Sequence, residues 1–257
     1  RELELGYAHF GVASADQVIR ALSKGAPVVV VAQLFQVNPL QWIYRPDRLS
    51  IRQLSDLRGR TLGVTFGKND EIIMRTLLSL ANIRDDEVRL FSVRLDYTPF
   101  FKGLVDLWPV YINTQGVELG ARFKAAGEQI NFFNPNDYGV QFVANSVVTS
   151  EGMIKRHPDT VKRFLQALLK GWGDALDPAN RERSVSVVQL YDRDSTVMVL
   201  ERQLQVTRKL VQPGDRGMIG AFDRAAWQQT EDIMLKYRQI QRPVFVVERL
   251  HDAVGPK

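Results

Sequence analysis

At 257 residues, with 45% hydrophobic and 25% charged side chains, the chain is long enough to bury a full core, and two lobes fit its length better than one large unit. Its apolar runs, such as 26–32, are far too short to span a bilayer. The net charge of +5 arises from Lys and Arg interleaved with Asp and Glu, a solvated mixed surface and not a nucleic-acid stripe, while the absence of cysteine excludes disulfides, thiolate metal sites and cysteine nucleophiles.

The chain opens at Arg1-Glu-Leu-Glu-Leu-Gly without the charged, apolar and small-residue regions of a secretion signal, so any such signal is expected to be gone already. Residues 8–13 read as a buried strand, and Ser14 followed by Asp16 opens a helix with Val18, Ile19 and Leu22 on one side. Residues 27–33 read as a strand nearly continuous in β-branched side chains, as parallel strands covered on both faces usually are. A short strand at 41–44, ending at Arg45-Pro46, is placed to leave the first sheet. A helix is expected over 50–57, a turn at Arg58-Gly59 and a strand over 61–66; Gly67 then breaks the strand before Lys68-Asn69-Asp70-Glu71 opens an amphipathic helix.

Strands at 88–93 and 105–111 follow, separated by a short helix at 98–102 that Gly103 closes. After 131–135, residues 138–144 read as a second strand that crosses between lobes. From Ser150, a plausible cap, the pattern turns helical: His157-Pro158 separates two helices, and 160–176 is amphipathic with Phe164, Leu165, Leu168 and Trp172 inward. Three further helices are expected near 181–191, 196–210 and 223–237. An α/β middle with a helical tail fits two α/β lobes joined by two crossings. The expected fold is a two-lobed clamshell, each lobe a mixed sheet flanked by helices: 1–45 with 142–257 as a discontinuous first lobe that carries the C-terminal helices, and 46–141 as the second.

Candidate ligand residues cluster where strands end. Ser14, Ala15 and Asp16 offer a hydroxyl and helix N-terminal amides, and Ser14 equally reads as a plain N-cap. At Phe66, Gly67, Lys68, Asn69 and Asp70, glycine permits close backbone approach while a cation, an amide and a carboxylate share one loop; the alternative is capping by Asn69 or Asp70. Tyr111 and Asn113 lie at the carboxyl end of a strand, where α/β sheets bind ligands, with Trp108 on the opposite face as core. Gln36, Asn38 and Gln41 flank the first crossing, and Tyr138 and Gln141 the second; these groups suit a polar, uncharged heterocycle or satisfy the crossing backbone itself. Trp42, Trp172 and Trp227 read as core. His9, His157 and His251 lie in no metal-ligand spacing, and neither a Ser-His-Asp arrangement nor a phosphate-cradling loop stands out, so no catalytic residue, cofactor or metal is expected.

Gly11-Val-Ala-Ser-Ala-Asp16, the helix and D-L-x-G-x-x-x-G-V run over 50–64, Val105-Asp-Leu-Trp-Pro-Val-Tyr111 and Tyr138-Gly-Val together resemble periplasmic substrate-binding proteins of the thiamine-pyrimidine, NMT1/THI5-like type, over residues 6 to about 227. The resemblance implies the type II periplasmic-binding-protein fold and a monomeric extracytoplasmic receptor. Such a receptor captures a small polar solute, a thiamine-precursor pyrimidine being one choice, and hands it to an ABC permease in the membrane, without nucleic-acid binding or membrane insertion. It also implies ligand contact by the loop at 66–70, with Asp70 or Glu71 accepting from an aminopyrimidine edge. Family members begin with a further strand, ligand-facing turn and helix, roughly fifty residues on the length of a βαβ unit; by this resemblance that unit is missing ahead of residue 6. Two other classes are a ligand-sensing domain of a membrane signalling receptor and a pyrimidine-synthesis enzyme. Eukaryotic enzymes of the wider family use a Cys-rich motif, and this chain has no cysteine.

Overall fold

The run Val28–Gln33 is buried at every position in the computed structural model, which describes residues 2–215 and 218–253. In chain order the first elements are α1 (Glu2–Leu5), β1 (Phe10–Ala13), α2 (Ala15–Ser23), β2 (Val28–Gln33), β3 (Leu40–Tyr44), β4 (Thr61–Val64), α3 (Asn69–Leu80), β5 (Arg89–Ser92) and α4 (Thr98–Phe101). They continue with β6 (Trp108–Tyr111), α5 (Gln115–Ala125), β7 (Asn131–Phe133), β8 (Ser146–Ser150), α6 (Glu151–Arg156), α7 (Pro158–Leu176), α8 (Arg181–Gln189), α9 (Val197–Val211) and α10 (Arg224–Lys236). The chain divides into two units, Arg1–Asn38 with Phe142–Lys257, and Pro39–Gln141. The first junction falls between Asn38 and Pro39, ahead of the boundary after residue 45 read from the sequence. The reason is β3, which hydrogen-bonds along both edges to strands of the second unit.

In unit 1, β8 lies between β1 and β2 and is antiparallel to both. Ala13 and Gln33 both register with Ser146, so the carboxyl ends of β1 and β2 meet at one sheet edge. Burying Gln33 requires partners for its amide, and they are present: its Oε1 accepts from Trp227 Nε1 and from the Asp223 amide at 3.0 Å each, and its Nε2 donates to the Phe35 carbonyl at 3.1 Å. Of the C-terminal helices, α7 and α10 reach this sheet. The Phe164 ring of α7 stacks on Phe10 at 3.8 Å, and Trp172 meets Phe35 edge-on.

Unit 2 contains an antiparallel sheet, β6-β3-β7, and a parallel pair, β4-β5. A parallel bridge between Leu62 and Leu107 joins them in the order β5-β4-β6-β3-β7, with β3 alone reversed. At the joint, the Gly63 amide donates to the Leu107 carbonyl at 2.7 Å, and Trp42 Nε1 donates to the Gly63 carbonyl at 2.8 Å. One side of this unit closes over Ile43, Phe100, Trp108, Val110, Leu119 and Phe123. Since β4, β5, β6 and β7 run the same way, their carboxyl ends share one edge.

The structure corrects several sequence expectations. In place of a helix over 50–57 there is a single 3-10 turn, Leu54–Leu57, because the Asp56 carboxylate takes the Arg52 and Gln53 amides at 2.8 and 3.1 Å and starts the turn there. Residues 138–144 form no strand. Pro135 starts a 3-10 turn, Pro135–Tyr138, the Asn134 side chain accepts from the Asn136 amide, and Gly139 ends it at φ 76°, so turn chemistry overrides the apolar pattern. Helix α5 went unread because Gly116 and Gly120 thin its apolar face; at Gly116 an added Cβ would lie 3.1 Å from the Phe132 ring.

A Cβ at Gly63 would fall 2.7 Å from Val93 Cγ1 and 2.8 Å from the Leu107 carbonyl oxygen. Gly63→Ala is therefore expected to lower the stability of the protein by about 2 kcal/mol through overpacking, measured by urea unfolding.

Candidate functional site

The carboxyl edge of unit 2 begins where β4 ends at Val64. Gly67 takes φ 78°, a left-handed conformation that glycine adopts without penalty, and this turns the chain into α3. Two carboxylates from the first turn of α3 reach back to hold the loop: Asp70 Oδ2 accepts from the Thr65 amide and Glu71 Oε2 from the Gly67 amide, each at 2.7 Å. Glu71 is itself fixed by Arg75 at 2.9 Å, which also pairs with Asp85 at 2.6 Å. Asp70 is only 4% exposed, and its second oxygen, Oδ1, finds no hydrogen-bond partner among the described residues. Burial pushes the Asp70 carboxyl above the usual carboxylate range, against its backbone hydrogen bonds.

With these carboxylates turned inward, the loop presents Phe66, which is 50% exposed, Gly67, Lys68 and the half-buried Asn69. Lys68 has no ion pair among the described residues. At the same edge β6 ends in Tyr111, 44% exposed, followed by the half-buried Asn113. Gln115 secures this corner, its Oε1 accepting from the Tyr111 amide at 3.1 Å and from Thr114 Oγ1 at 2.8 Å. Trp108, three residues before Tyr111, points the other way into the core, where Phe91 and Tyr97 pack on it. Tyr138 follows β7, but its ring stacks on Phe133 at 5.0 Å, and burial raises its hydroxyl pKa. Gln41 is buried in β3, and Gln141 is exposed.

The unit 1 candidates also share one edge, and their polar groups are engaged within the unit. Ser14 Oγ donates to Asp16 Oδ1 at 2.5 Å, the Ser14 amide donates to Gln17 Oε1 at 3.2 Å, and Asp16 is buried. Gln36 Nε2 donates to the Ala221 carbonyl at 2.9 Å, and Asn38 Nδ2 donates to the Phe142 carbonyl at 2.6 Å. Asn38 thus serves the backbone where the chain leaves and re-enters the unit, and Gln36 ties the departing segment to Ala221. Thr114 and Gln115 were missed with α5; the available signal was an N-cap residue type ahead of Leu119 and Phe123 at helical spacing. Among the described residues, no group of three or more His, Asp or Glu side chains gathers where it could hold a metal ion. No helix there is long and apolar enough to cross a membrane.

Residues 1–181 match the family described as NMT1/THI5 like. The chain belongs to the NMT1/THI5-like family. The chain is 26% identical to the riboflavin-binding protein RibY of Chloroflexus aurantiacus, over 96% of this chain and 70% of the relative. It is 25% identical to a formylaminopyrimidine-binding protein of Halalkalibacterium halodurans, over 88% of this chain and 68% of the relative. Among solved structures, the periplasmic aliphatic sulphonate binding protein SsuA of Escherichia coli superposes with a TM-score of 0.73 at 16% identity, covering 100% of this chain and 79% of SsuA. The α/β fold is that of the type II periplasmic binding proteins. The same fold also carries catalysis elsewhere: the desulfurization enzyme DSZB matches with a TM-score of 0.62 at 13% identity, over 95% of this chain and 82% of DSZB.

The buried Asp70 carboxyl links loop stability to pH. Because its folded-state pKa lies above the unfolded value, the stability it brings is fully present below the unfolded value and is lost as pH rises through the folded one. Asp70→Asn keeps an oxygen for the Thr65 amide without the buried charge, so its Tm is expected to gain on the parent as pH rises from about 4 to 7. Asp70→Ala leaves the Thr65 amide without its partner and is expected to cost about 1–2 kcal/mol in the same unfolding assay.

Proposed function

We propose that this protein is an extracytoplasmic solute-binding protein that captures a small, flat, polar heterocycle and delivers it to an ABC permease, acting as a monomer and without catalysis. The observation that carries this reading is the meeting of the 66–70 loop and the 111–115 corner at one carboxyl edge of unit 2, in a family with relatives named for riboflavin and formylaminopyrimidine binding. Both of those ligands contain a pyrimidine-type ring with hydrogen-bonding atoms around its rim. Such a ring is matched by exposed aromatic faces at Phe66 and Tyr111, by the amides of Asn69 and Asn113, and by the Lys68 ammonium as a donor to ring carbonyl oxygens. Asp70 and Glu71 take a positioning role in this reading: they hold the loop backbone, so little ordering is left to be done when ligand arrives. The absence of cysteine removes the residue that enzymes of the wider family require, which supports binding over synthesis.

Calorimetric titration of the full chain with riboflavin and with a formylaminopyrimidine tests the proposal. At least one is expected to bind with a Kd of roughly micromolar or tighter, and Phe66→Ala and Asn69→Ala are each expected to weaken it about tenfold or more, about 1.4 kcal/mol, with little change in Tm. If neither compound binds, or both variants bind like the parent, the assignment of this edge to a pyrimidine-type ligand is wrong.

A further inference from the structure

On unit 1, the segment after α10 adopts a conformation that its own backbone disfavours. Phe245 sits in the left-handed region at φ 52° and ψ 53°, which a side-chain-bearing residue occupies only when its surroundings enforce it. Glu231 of α10 supplies the enforcement. It is 1% exposed; its Oε1 accepts from the Val244 and Phe245 amides at 2.6 and 3.0 Å, and its Oε2 accepts from the Val246 amide at 2.7 Å. Downstream, the Val247 carbonyl accepts from Arg224 Nη1 at 3.3 Å, and the His251 amide donates to the Val30 carbonyl of β2 at 2.8 Å. The segment is therefore pinned at both ends, while the Phe245 ring is left 62% exposed.

Phe245 lines a half-open surface depression of about 540 Å³, with Leu22, Pro27 and the charged groups Glu151, Arg242 and Arg249 around it. The volume lies in the range of small-molecule sites. Arg249 Nη1 is neutralised by Glu151 Oε1 at 2.6 Å, whereas Arg242 is exposed and has no ion pair among the described residues. Two arginines against one glutamate leave the lining net positive beside an open aromatic face. We propose that this depression is a second ligand site, separate from solute capture at unit 2, which takes a small planar aromatic anion. The anion's ring lies on Phe245, and its carboxylate or sulfonate meets the Arg242 guanidinium, whose planar fork suits such groups.

The test titrates the full chain with 2-naphthoate and with neutral 2-naphthamide by calorimetry. The acid is expected to bind at least tenfold more tightly than the amide. Arg242→Gln and Phe245→Gly are each expected to weaken the acid at least tenfold. Glycine at 245 accepts the left-handed backbone freely, so that variant is expected to fold with an unchanged or higher Tm, separating lost contact from lost structure. Phe66→Ala is expected to leave naphthoate binding unchanged, and Arg242→Gln to leave pyrimidine or riboflavin binding unchanged. Absence of naphthoate binding at millimolar concentration, equal binding of acid and amide, retention of binding in both unit 1 variants, or its loss in Phe66→Ala would each overturn the proposal.

Discussion

The close approach at Gly63 is the constraint on which unit 2 depends. A parallel pair of strands and an antiparallel trio become one sheet where the Gly63 amide reaches the Leu107 carbonyl and the Thr61 carbonyl takes the Asp106 and Leu107 amides, with the Trp42 indole closing on the Gly63 carbonyl. No side chain is accommodated there. This joint helps to set the end of β4 beside the end of β6, and with them Phe66 and Tyr111. A residue that touches no ligand thus bears on the spacing of the groups proposed to do so.

In the loop that follows β4, acidic residues hold the backbone from inside. Asp70 and Glu71 look like ligand acceptors in the sequence, but their carboxylates occupy the amides of Thr65 and Gly67. The free amides of a helix start would bind an anion; here the protein's own side chains already fill part of that role. What remains outward is an aromatic ring, an amide and an ammonium group. Glu231 repeats the arrangement on unit 1, gathering three consecutive amides around one buried carboxylate. In both places charge is used inside the loop to fix what the loop displays outside.

Legibility in the sequence followed the strength of the local signal. The long amphipathic α7, the Ser150 cap and the strand-glycine-helix passage at β4 and α3 each have one dominant local reading, and the structure agrees with it; the β-branched run at β2 is buried on both faces as read, but it pairs antiparallel and not parallel. The D-L-x-G-x-x-x-G-V run, with its second glycine at 63, pointed to the family because that glycine has a packing reason to be there. Signals failed where two local effects competed. Residues 138–144 alternate like a strand but follow a Pro135 and Asn134 turn, and α5 carries two glycines where apolar residues would have marked its face. Long-range pairing was invisible: nothing local in 40–44 says that this strand is claimed by β6 and β7, which lie much later in the chain. Nor does the sequence distinguish a buried carboxylate from an exposed one, and on that distinction the roles within the 66–71 loop turn.

The position of β8 has a bearing on how the molecule is made. Unit 2 is one uninterrupted stretch, Pro39–Gln141, and all of its strands are available once that stretch has been synthesised. Unit 1 is different, because β1 and β2 do not pair with each other and each needs β8, which is inserted between them from beyond residue 145. The pairing of β1 and β2 with β8 therefore spans the whole of unit 2 in sequence, and such long-range pairing is slow to form. The sheet of unit 1 is thus completed by a central strand that comes late in the chain.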